Sequence, residues 1–347
     1  FAENLCVVTG DVTDDETLDM TKAEAAVLFD LNNCQVLYAK NAHEKLHPAS
    51  LTKVMTALVA LKYGNIDQLM TASNVVNITE TGATLSGIKP GDSMTLNQAL
   101  YALLLQSGND AAMMIAENVG GSVEHFVELM NQEALELGAT NTHFMNPHGL
   151  HDENHYTCAR DMALIGRELF KHPEFFQIVQ TLQYTIPASE TTEEHIFQQK
   201  HKMLKEGNAN YYEFAIGGKT GYTSEAMSTL VTMADNGNMQ LVCVVLKTHG
   251  VNVYPDTRNL LEYGFANFSK VLPAAYEESE DVAKIPDEQN IVVPNGVEFQ
   301  DLEMEIVPDE ESEEEGTLAY SYKGSPVGSV RAVLSQAYFD KAKAKEE

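Results

Sequence analysis

The chain is short of three things, and each shortage narrows what it can be. It has 4 cysteines in 347 residues, at positions 6, 34, 158 and 243, with no C-x-x-C spacing. That argues against a dense disulfide framework or a thiolate metal cluster. No apolar run approaches the ~18 residues of a membrane span, so no segment reads as crossing a bilayer. Bases are scarce, with 22 Lys and Arg against 51 Asp and Glu, for a net charge of −29. A field of that sign repels phosphate backbones and anionic headgroups, so no nucleic acid is expected as a partner. The first residues, Phe1-Ala2-Glu3-Asn4, carry neither an initiator Met nor a basic stretch, as expected of a processed, exported product.

What remains is globular. Hydrophobic residues make up 44% and charged residues 21%. At ~150 residues per domain, the length suggests about two domains. The acid is concentrated late: residues 269–347 hold 19 acids against 7 bases, and 16 acids fall between Glu277 and Glu315 with Lys284 as the one base. Such a run reads as solvated loops or faces. Cys243, inside Leu241-Val242-Cys243-Val244-Val245-Leu246, reads as a small core residue.

The apolar pattern changes period along the chain. Residues 25–30 and 35–38, joined by Asn32-Asn33, read as a hairpin. After Pro48, the spacing of Met55, Leu58, Val59 and Lys62 predicts a helix closed by Gly64. Further helices are expected over about 95–105, from near Asp110, and over 123–137 up to Gly138. Residues 227–233 and 239–246 flank Asn236-Gly237 and predict a second hairpin. Residues 260–265 read as a closing helix. Strands at both ends with helices between imply one sheet built from both ends of a domain, with a helical lobe inserted. Beyond Pro273, short alternating segments suggest a small all-β domain, and the charged residues 337–347 suggest a frayed tail.

Three short motifs stand in order: Ser50-x-x-Lys53, Ser107-x-Asn109 and Lys219-Thr220-Gly221. Singly each has a plain reading: an N-cap with a solvated lysine, a polar helix break, a turn. Together, with the first opening a helix and the last on a strand before a hairpin, they are specific. Ser50 and Lys53 are three apart on a helix and share a face. A serine hydroxyl needs a base to become a nucleophile, and a lysine is a base only when neutral. Burial and a second cation, here Lys219, both lower a lysine pKa. Gly221, without a side chain, would let substrate backbone lie along its strand. His148, His151 and His155 mimic metal-ligand spacing, but Asn146-Pro147-His148-Gly149-Leu150 reads as a turn, so no metal site is expected.

The chain resembles the low-molecular-mass penicillin-binding proteins, specifically the serine D-alanyl-D-alanine carboxypeptidases. The resemblance rests on residues 48–56, 107–112, 130–131, 137–150, 159–163 and 219–223, and the stretch from Asn141 to Leu150 is its most specific part. It implies an α+β architecture. A transpeptidase-like domain, an antiparallel sheet flanked by helices with a helical lobe, would occupy 1–270. A small all-β sandwich would follow over 271–336, then a charged tail over 337–347. It also implies roles. Ser50 would be the acylated nucleophile and Lys53 its base. Ser107 would relay a proton to the leaving D-alanine, and Asn109 would hold the substrate amide. Lys219 would set the electrostatics, and Thr220 would contact the terminal carboxylate. The backbone N–H groups of Ser50 and Tyr222 would form the oxyanion hole, with Gly221 between Thr220 and Tyr222 at the substrate. No cofactor is implied.

The expected substrate is a peptidoglycan stem peptide ending in D-Ala-D-Ala, with β-lactams as covalent inhibitors, on the outer side of the cytoplasmic membrane or secreted. Three departures accompany the resemblance. Ile216 stands where the family often has Asp. No arginine aligns securely with the one that helps bind the terminal carboxylate in some members, Arg258 included. The family's amphipathic membrane anchor has no counterpart in 337–347. Two rivals stay open: a serine β-lactamase of related fold, and a non-catalytic penicillin-sensing or wall-binding module. The E-x-x-x-N base of many β-lactamases is not matched by Glu128, which has Gln132 at the fourth place.

Overall fold

The computed structural model describes residues 6–312 and 314–346. The first part of the chain gives β1 (Ala25–Asp30), β2 (Val36–Lys40), α1 (Thr52–Tyr63), β3 (Leu69–Thr71), β4 (Ser93–Thr95), α2 (Leu96–Leu104), α3 (Asn109–Gly120) and α4 (Val123–Glu136). Next come α5 (Ala159–Glu168), α6 (Pro173–Val179), β5 (Gln183–Ile186), β6 (His195–Gln198), β7 (Ala215–Thr223), β8 (Met227–Asp235), β9 (Gln240–Thr248) and α7 (Val253–Asn267). The last part holds β10 (Phe268–Val271), β11 (Val282–Lys284), β12 (Ile291–Pro294), β13 (Glu303–Pro308), β14 (Glu315–Tyr322), β15 (Ser325–Leu334) and α8 (Gln336–Glu346).

The main sheet runs β2-β1-β9-β8-β7, so the first hairpin and the late strands do join. Antiparallel pairing sets Ala26 opposite Val245 and Val27 opposite Val244. The period of 2 then divides the apolar residues between two cores. Val27, Phe29, Val242 and Val244 face the helical lobe, while Ala26, Leu28, Cys243 and Val245 face α7. Cys243 is thus the core residue its context predicts. The Asn236-Gly237 turn closes β8 and β9, with Gly237 at φ +83° and the Asn236 side chain accepting from the Met239 N–H at 2.8 Å.

The helix α1 forms where its spacing predicts, but is buried on every side over most of its length. Residues 52–60 are all buried, because α1 runs through the middle of the lobe and not along its surface. Its polar residues are matched inside: Thr52 to His155 at 2.7 Å, and Thr56 to the Pro147 carbonyl at 2.6 Å. The start of α2 is a capping box, Thr95 with Gln98, which fixes where the turn before α3 falls. Cys6 and Cys34 form a disulfide across 28 residues, with Cα atoms 4.8 Å apart.

After α7, β10 pairs with β12, and a second sheet runs β11-β15-β14-β13. Ile291 and Val293 of β12 pack on Leu318, Tyr320 and Val330 in a third core. The expected boundary between 270 and 271 falls inside β10. The expected frayed tail is instead helix α8: Tyr338 and Phe339 pack on the third core, and Lys341 donates to Glu280 and Asp281. No helix among the described residues is long and apolar enough to cross a membrane.

Candidate active site

Ser50 lies in a one-turn 3-10 segment, Ala49–Leu51, that feeds α1. It does not cap the helix: Leu51 holds that position without a side-chain bond. The segment is sharply bent, with Ala49 at φ +50°, a region costly for a residue with a Cβ. Two glycines hold the bend from either side. A Cβ on Gly149, at φ +92°, would sit 1.9 Å from the Ala49 carbonyl oxygen. A Cβ on Gly221 would sit 2.5 Å from Thr229 Oγ1 and 3.1 Å from the Ser50 nitrogen. The bare Cα of Gly221 therefore makes room for the serine's own backbone, a different reason from the one its sequence suggests. Thr229 completes the clamp by donating to the Pro48 carbonyl at 3.3 Å.

One turn on, Lys53 is fully enclosed. Its Nζ lies 2.9 Å from Ser50 Oγ, 2.8 Å from Asn109 Oδ1 and 2.7 Å from the His148 carbonyl oxygen. None of the three is a carboxylate. Burial first, then Lys219 and Lys200, hold its pKa well below the lysine range, while Asp110 pulls weakly the other way. A neutral amine has two N–H groups and one lone pair. Asn109 Oδ1 and the His148 carbonyl can only accept, so they take the two N–H groups and leave the lone pair for the Ser50 hydroxyl.

Ser107 sits in the turn between α2 and α3, at φ +62°, and Asn109 opens α3; both are buried. Asp110 fixes that turn. Its carboxylate accepts from the N–H groups of Ser86 (2.8 Å), Gly87 (2.9 Å), Ile88 (3.0 Å) and Ala111 (2.9 Å), which binds the loop 84–88 against the motif. A Cβ on Gly108 would meet Ser86 Oγ at 1.8 Å. The negative charge is thus spent on backbone donors close to the lysines.

Lys219 lies on β7, the opposite wall, and is 2% exposed. Its Nζ donates to the Thr220 carbonyl at 2.8 Å. Burial, then Lys200, lower its pKa to about 7. Thr220 is half-buried, and the Tyr222 ring is 70% exposed. Lys200 joins the cluster from the segment between β6 and β7, donating to the Gln106 carbonyl at 2.9 Å. Nothing in its sequence spacing marks it. Beside it, His201 is buried, with Nδ1 accepting from the Met203 N–H and Nε2 facing Thr232 Oγ1 at 2.9 Å.

The three motifs therefore meet at one point, and comparison with known proteins agrees with what they form. Residues 12–250 match the peptidase S11 family, D-alanyl-D-alanine carboxypeptidase. The chain belongs to this family of serine hydrolases. It is 33% identical over 337 residues to the D-alanyl-D-alanine carboxypeptidase DacF of Bacillus subtilis (strain 168), covering 87% of this chain and 82% of that protein. It is 35% identical over 263 residues to DacC of Escherichia coli (strain K12), covering 72% of this chain and 63% of that protein. The structure of penicillin binding protein 5 from Haemophilus influenzae matches with a TM-score of 0.72 at 28% identity, over 90% of this chain and 96% of that one.

Within this D-alanyl-D-alanine carboxypeptidase family member, the histidines of the 143–155 stretch brace the site. His155 Nδ1 accepts from the Met145 N–H at 2.9 Å, so its Nε2–H donates to Thr52. His148 Nδ1 accepts from the Leu150 N–H at 3.0 Å. Burial lowers both to about 3, so both rings are neutral, and Lys53 adds to the effect at His148. No group of His, Cys, Asp or Glu among the described residues could hold a metal. Arg258 is placed on α7, over the Tyr212 ring at 5.0 Å and donating to the carbonyls of Asn210 and Tyr211. Ile216 stands at a bulge in β7, where Gln180 donates to its carbonyl at 2.8 Å.

Proposed function

We propose that this chain is an extracytoplasmic serine carboxypeptidase that releases the terminal D-alanine from peptidoglycan stem peptides through an acyl-enzyme on Ser50. The observation that carries this is the position of Lys53: a buried amine, its pKa held well below the lysine range, 2.9 Å from one hydroxyl, Ser50 Oγ. Ser50 Oγ attacks the carbonyl carbon of the penultimate D-alanine as its proton passes to Lys53 Nζ. The oxyanion that forms is met by the backbone N–H groups of Ser50 and Tyr222, and a missing donor of this kind typically costs ~10²–10³ in rate. Collapse expels the terminal D-alanine, whose amine takes the proton through Ser107. Water then attacks the ester, again with Lys53 as base, and Ser50 is restored. Asn109 holds the substrate amide, Lys219 supplies a tunable positive field, and Thr220 contacts the terminal carboxylate. A β-lactam enters at the same first step and stays as the ester.

We assign residues 1–270 to catalysis and the β-rich residues 271–336 to spacing the catalytic part from its surroundings. The disulfide between Cys6 and Cys34 fits an oxidising compartment. A β-lactamase is disfavoured because Glu128 is exposed on α4 and engaged with His125 at 3.2 Å. A non-catalytic module would not need Lys53 enclosed against Ser50.

The test is intact-protein mass spectrometry over time after adding penicillin, alongside an assay for free D-alanine. A long-lived adduct on Ser50 and D-alanine release from a D-Ala-D-Ala peptide are expected. Fast loss of the adduct points to a β-lactamase, and no adduct to a binding module. Ser50→Ala should lose both signals and keep its fold, since Ser50 caps nothing. Residual labelling of that variant would assign the nucleophile elsewhere.

A further inference from the structure

On the α7 side of the main sheet, the segment 211–214 that leads into β7 and the second half of α7 enclose an open hollow of about 620 Å³. No residue assigned to catalysis lines it. Four aromatic rings do. Tyr212 is buried, Phe214 and Phe265 are half-buried, and Tyr211 is 38% exposed. The rings stand across one another, Tyr212 to Phe214 at 90° and Phe214 to Phe265 at 70°. Core packing accounts for Tyr212, but not for Tyr211, whose ring is left at the rim. The charge around the hollow is mixed. Arg258 lies over the Tyr212 ring at 5.0 Å, donates through Nη2 to the carbonyls of Asn210 and Tyr211, and reaches Glu262 through Nη1 at 3.5 Å. A guanidinium has five N–H groups, so the Nε–H and one on Nη1 have no partner among the described residues. Glu213 is exposed and likewise accepts no hydrogen bond among them.

Each class of ligand meets this hollow differently. An anion meets two carboxylates against one guanidinium, in a chain of net charge −29. A cation finds the face of Tyr212 already taken by Arg258. An extended peptide finds no open strand edge, because the carbonyls of Asn210, Tyr211, Tyr212 and Phe214 all accept bonds from within the protein. A sugar suits every part. Its hydroxyls both donate and accept, so neighbouring ones satisfy a guanidinium and a carboxylate side by side. Its ring C–H groups form an apolar face that lies against the electron-rich face of an aromatic ring. Phe214 directly precedes β7, and Lys219 follows five residues on, about 17 Å away at the rise of a strand. A polymer of sugars that bears peptides is long enough to occupy hollow and cleft together, and the second contact raises the effective concentration at the first.

We propose that this hollow holds a glycan strand of the peptidoglycan while one of its stem peptides enters the cleft. The choice of polymer rests on the carboxypeptidase reading above. The binding test uses Ser50→Ala, in which nothing turns over, and a soluble hexamer of β-1,4-linked N-acetylglucosamine, followed by calorimetry. Adding Tyr211→Ala should weaken binding at least fivefold. Tyr211→Phe, which keeps the ring, should stay within twofold, as should Tyr63→Ala, which removes an exposed tyrosine outside the hollow. No binding of the hexamer, or binding unchanged by Tyr211→Ala, would overturn the proposal. So would binding of a sugar-free stem peptide that Tyr211→Ala abolishes, since the hollow would then be a peptide site. With Ser50 in place, Tyr211→Ala should lower kcat/KM at least fivefold on stems attached to glycan strands, through KM, and leave the sugar-free peptide within twofold. Equal losses on both substrates, or a loss on neither, would also overturn it. If the unaltered enzyme releases no D-alanine while the hexamer still binds through Tyr211, the activity reading fails and the sugar site stands.

Discussion

In the cleft, Lys53, Lys200 and Lys219 all have pKa values below the ordinary lysine range, with burial as the first cause in each. In the C-terminal β region, Lys341 and Arg331 move the other way. Asp281 and Glu280 raise Lys341, and Asp309 and Glu315 raise Arg331. The difference is where the acid has been put. Four carboxylates of the run after residue 276 hold Arg331 and Lys341 in water-exposed pairs. The cleft has Asp110 close by, already engaged with four backbone N–H groups. Exposed pairs contribute little stability, whereas desolvated lysines cost stability and gain reactivity. Two glycines of each region show a related contrast: Gly149 and Gly221 make space for a bent nucleophile segment, whereas Gly296 and Gly324 make open turns.

The sharpest break of this comparison is Gly149→Ala against Gly324→Ala. Both glycines have positive φ, +92° and +77°. A Cβ at 324 meets nothing within 4 Å, while one at 149 lands on the Ala49 carbonyl. Gly324→Ala should cost roughly 1 kcal/mol in strain and leave D-alanine release unchanged. Gly149→Ala must move the 49–50 segment, and a displacement of ~1 Å at a nucleophile can cost ~100-fold in rate. Turnover of both variants, with urea midpoints, measures the contrast. Near-normal turnover in Gly149→Ala would mean the bend at Ala49 is not needed.

Next in size is the effect of pH through Lys219. Its folded pKa of about 7 lies below the ordinary lysine value of 10.5, so between these the unfolded chain binds more protons. Stability from this group therefore rises with pH across about 7 to 10.5 and is lowest at neutrality and below. Lys219→Met should be more stable than the parent at pH 7, by at most a few kcal/mol, and the advantage should fade by about pH 10.5. The same change should move the ascending limb of the pH profile of penicillin acylation to higher pH, since it removes a cation from beside Lys53; the two amines titrate as a coupled pair. Urea midpoints at pH 7, 8.5 and 10 that differ equally from the parent would show that Lys219 is not a desolvated lysine.

The sequence was legible where a periodicity or a motif repeats over several residues. Alternation in β1 and β9, the Asn236-Gly237 turn and the capped start of α2 each follow a local rule, and the three motifs converge as their order suggests. What escaped is of two kinds. Elements of three or four residues, such as β3, β4, β5 and β6, are too short to show a period. Other features exist only once distant segments meet. Lys200 comes within reach of Gln106 because β6 and β7 place it there, 94 residues along the chain. Cys6 finds Cys34 by the same route. The burial of α1 depends on partners at 147, 148 and 155, which no local spacing reveals. The tail misread in the opposite sense: its charges suggested fraying, but Lys341 had Glu280 and Asp281 waiting.

That pairing gives the smallest expected effect, and it tests the β-region half of the comparison. Lys341 Nζ lies 2.6 Å from Glu280 and 2.8 Å from Asp281, with about half the lysine side chain in water. Water already solvates all three groups, and salt screens what attraction remains, since the Debye length is about 8 Å at physiological ionic strength. The packing that holds α8 is separate from this contact, because Tyr338 and Phe339 reach the third core without it. Lys341→Ala should therefore leave the thermal midpoint almost unmoved at physiological salt, with a slight drop visible only at low salt, and should not alter D-alanine release. Phe339→Ala, which removes an apolar contact and no charge, should lower the midpoint more than Lys341→Ala at every salt concentration. If instead Lys341→Ala is the more damaging of the two and stays so in 1 M salt, the acidic run is holding the C-terminal region together, and the contrast between cleft and β region fails at its exposed end.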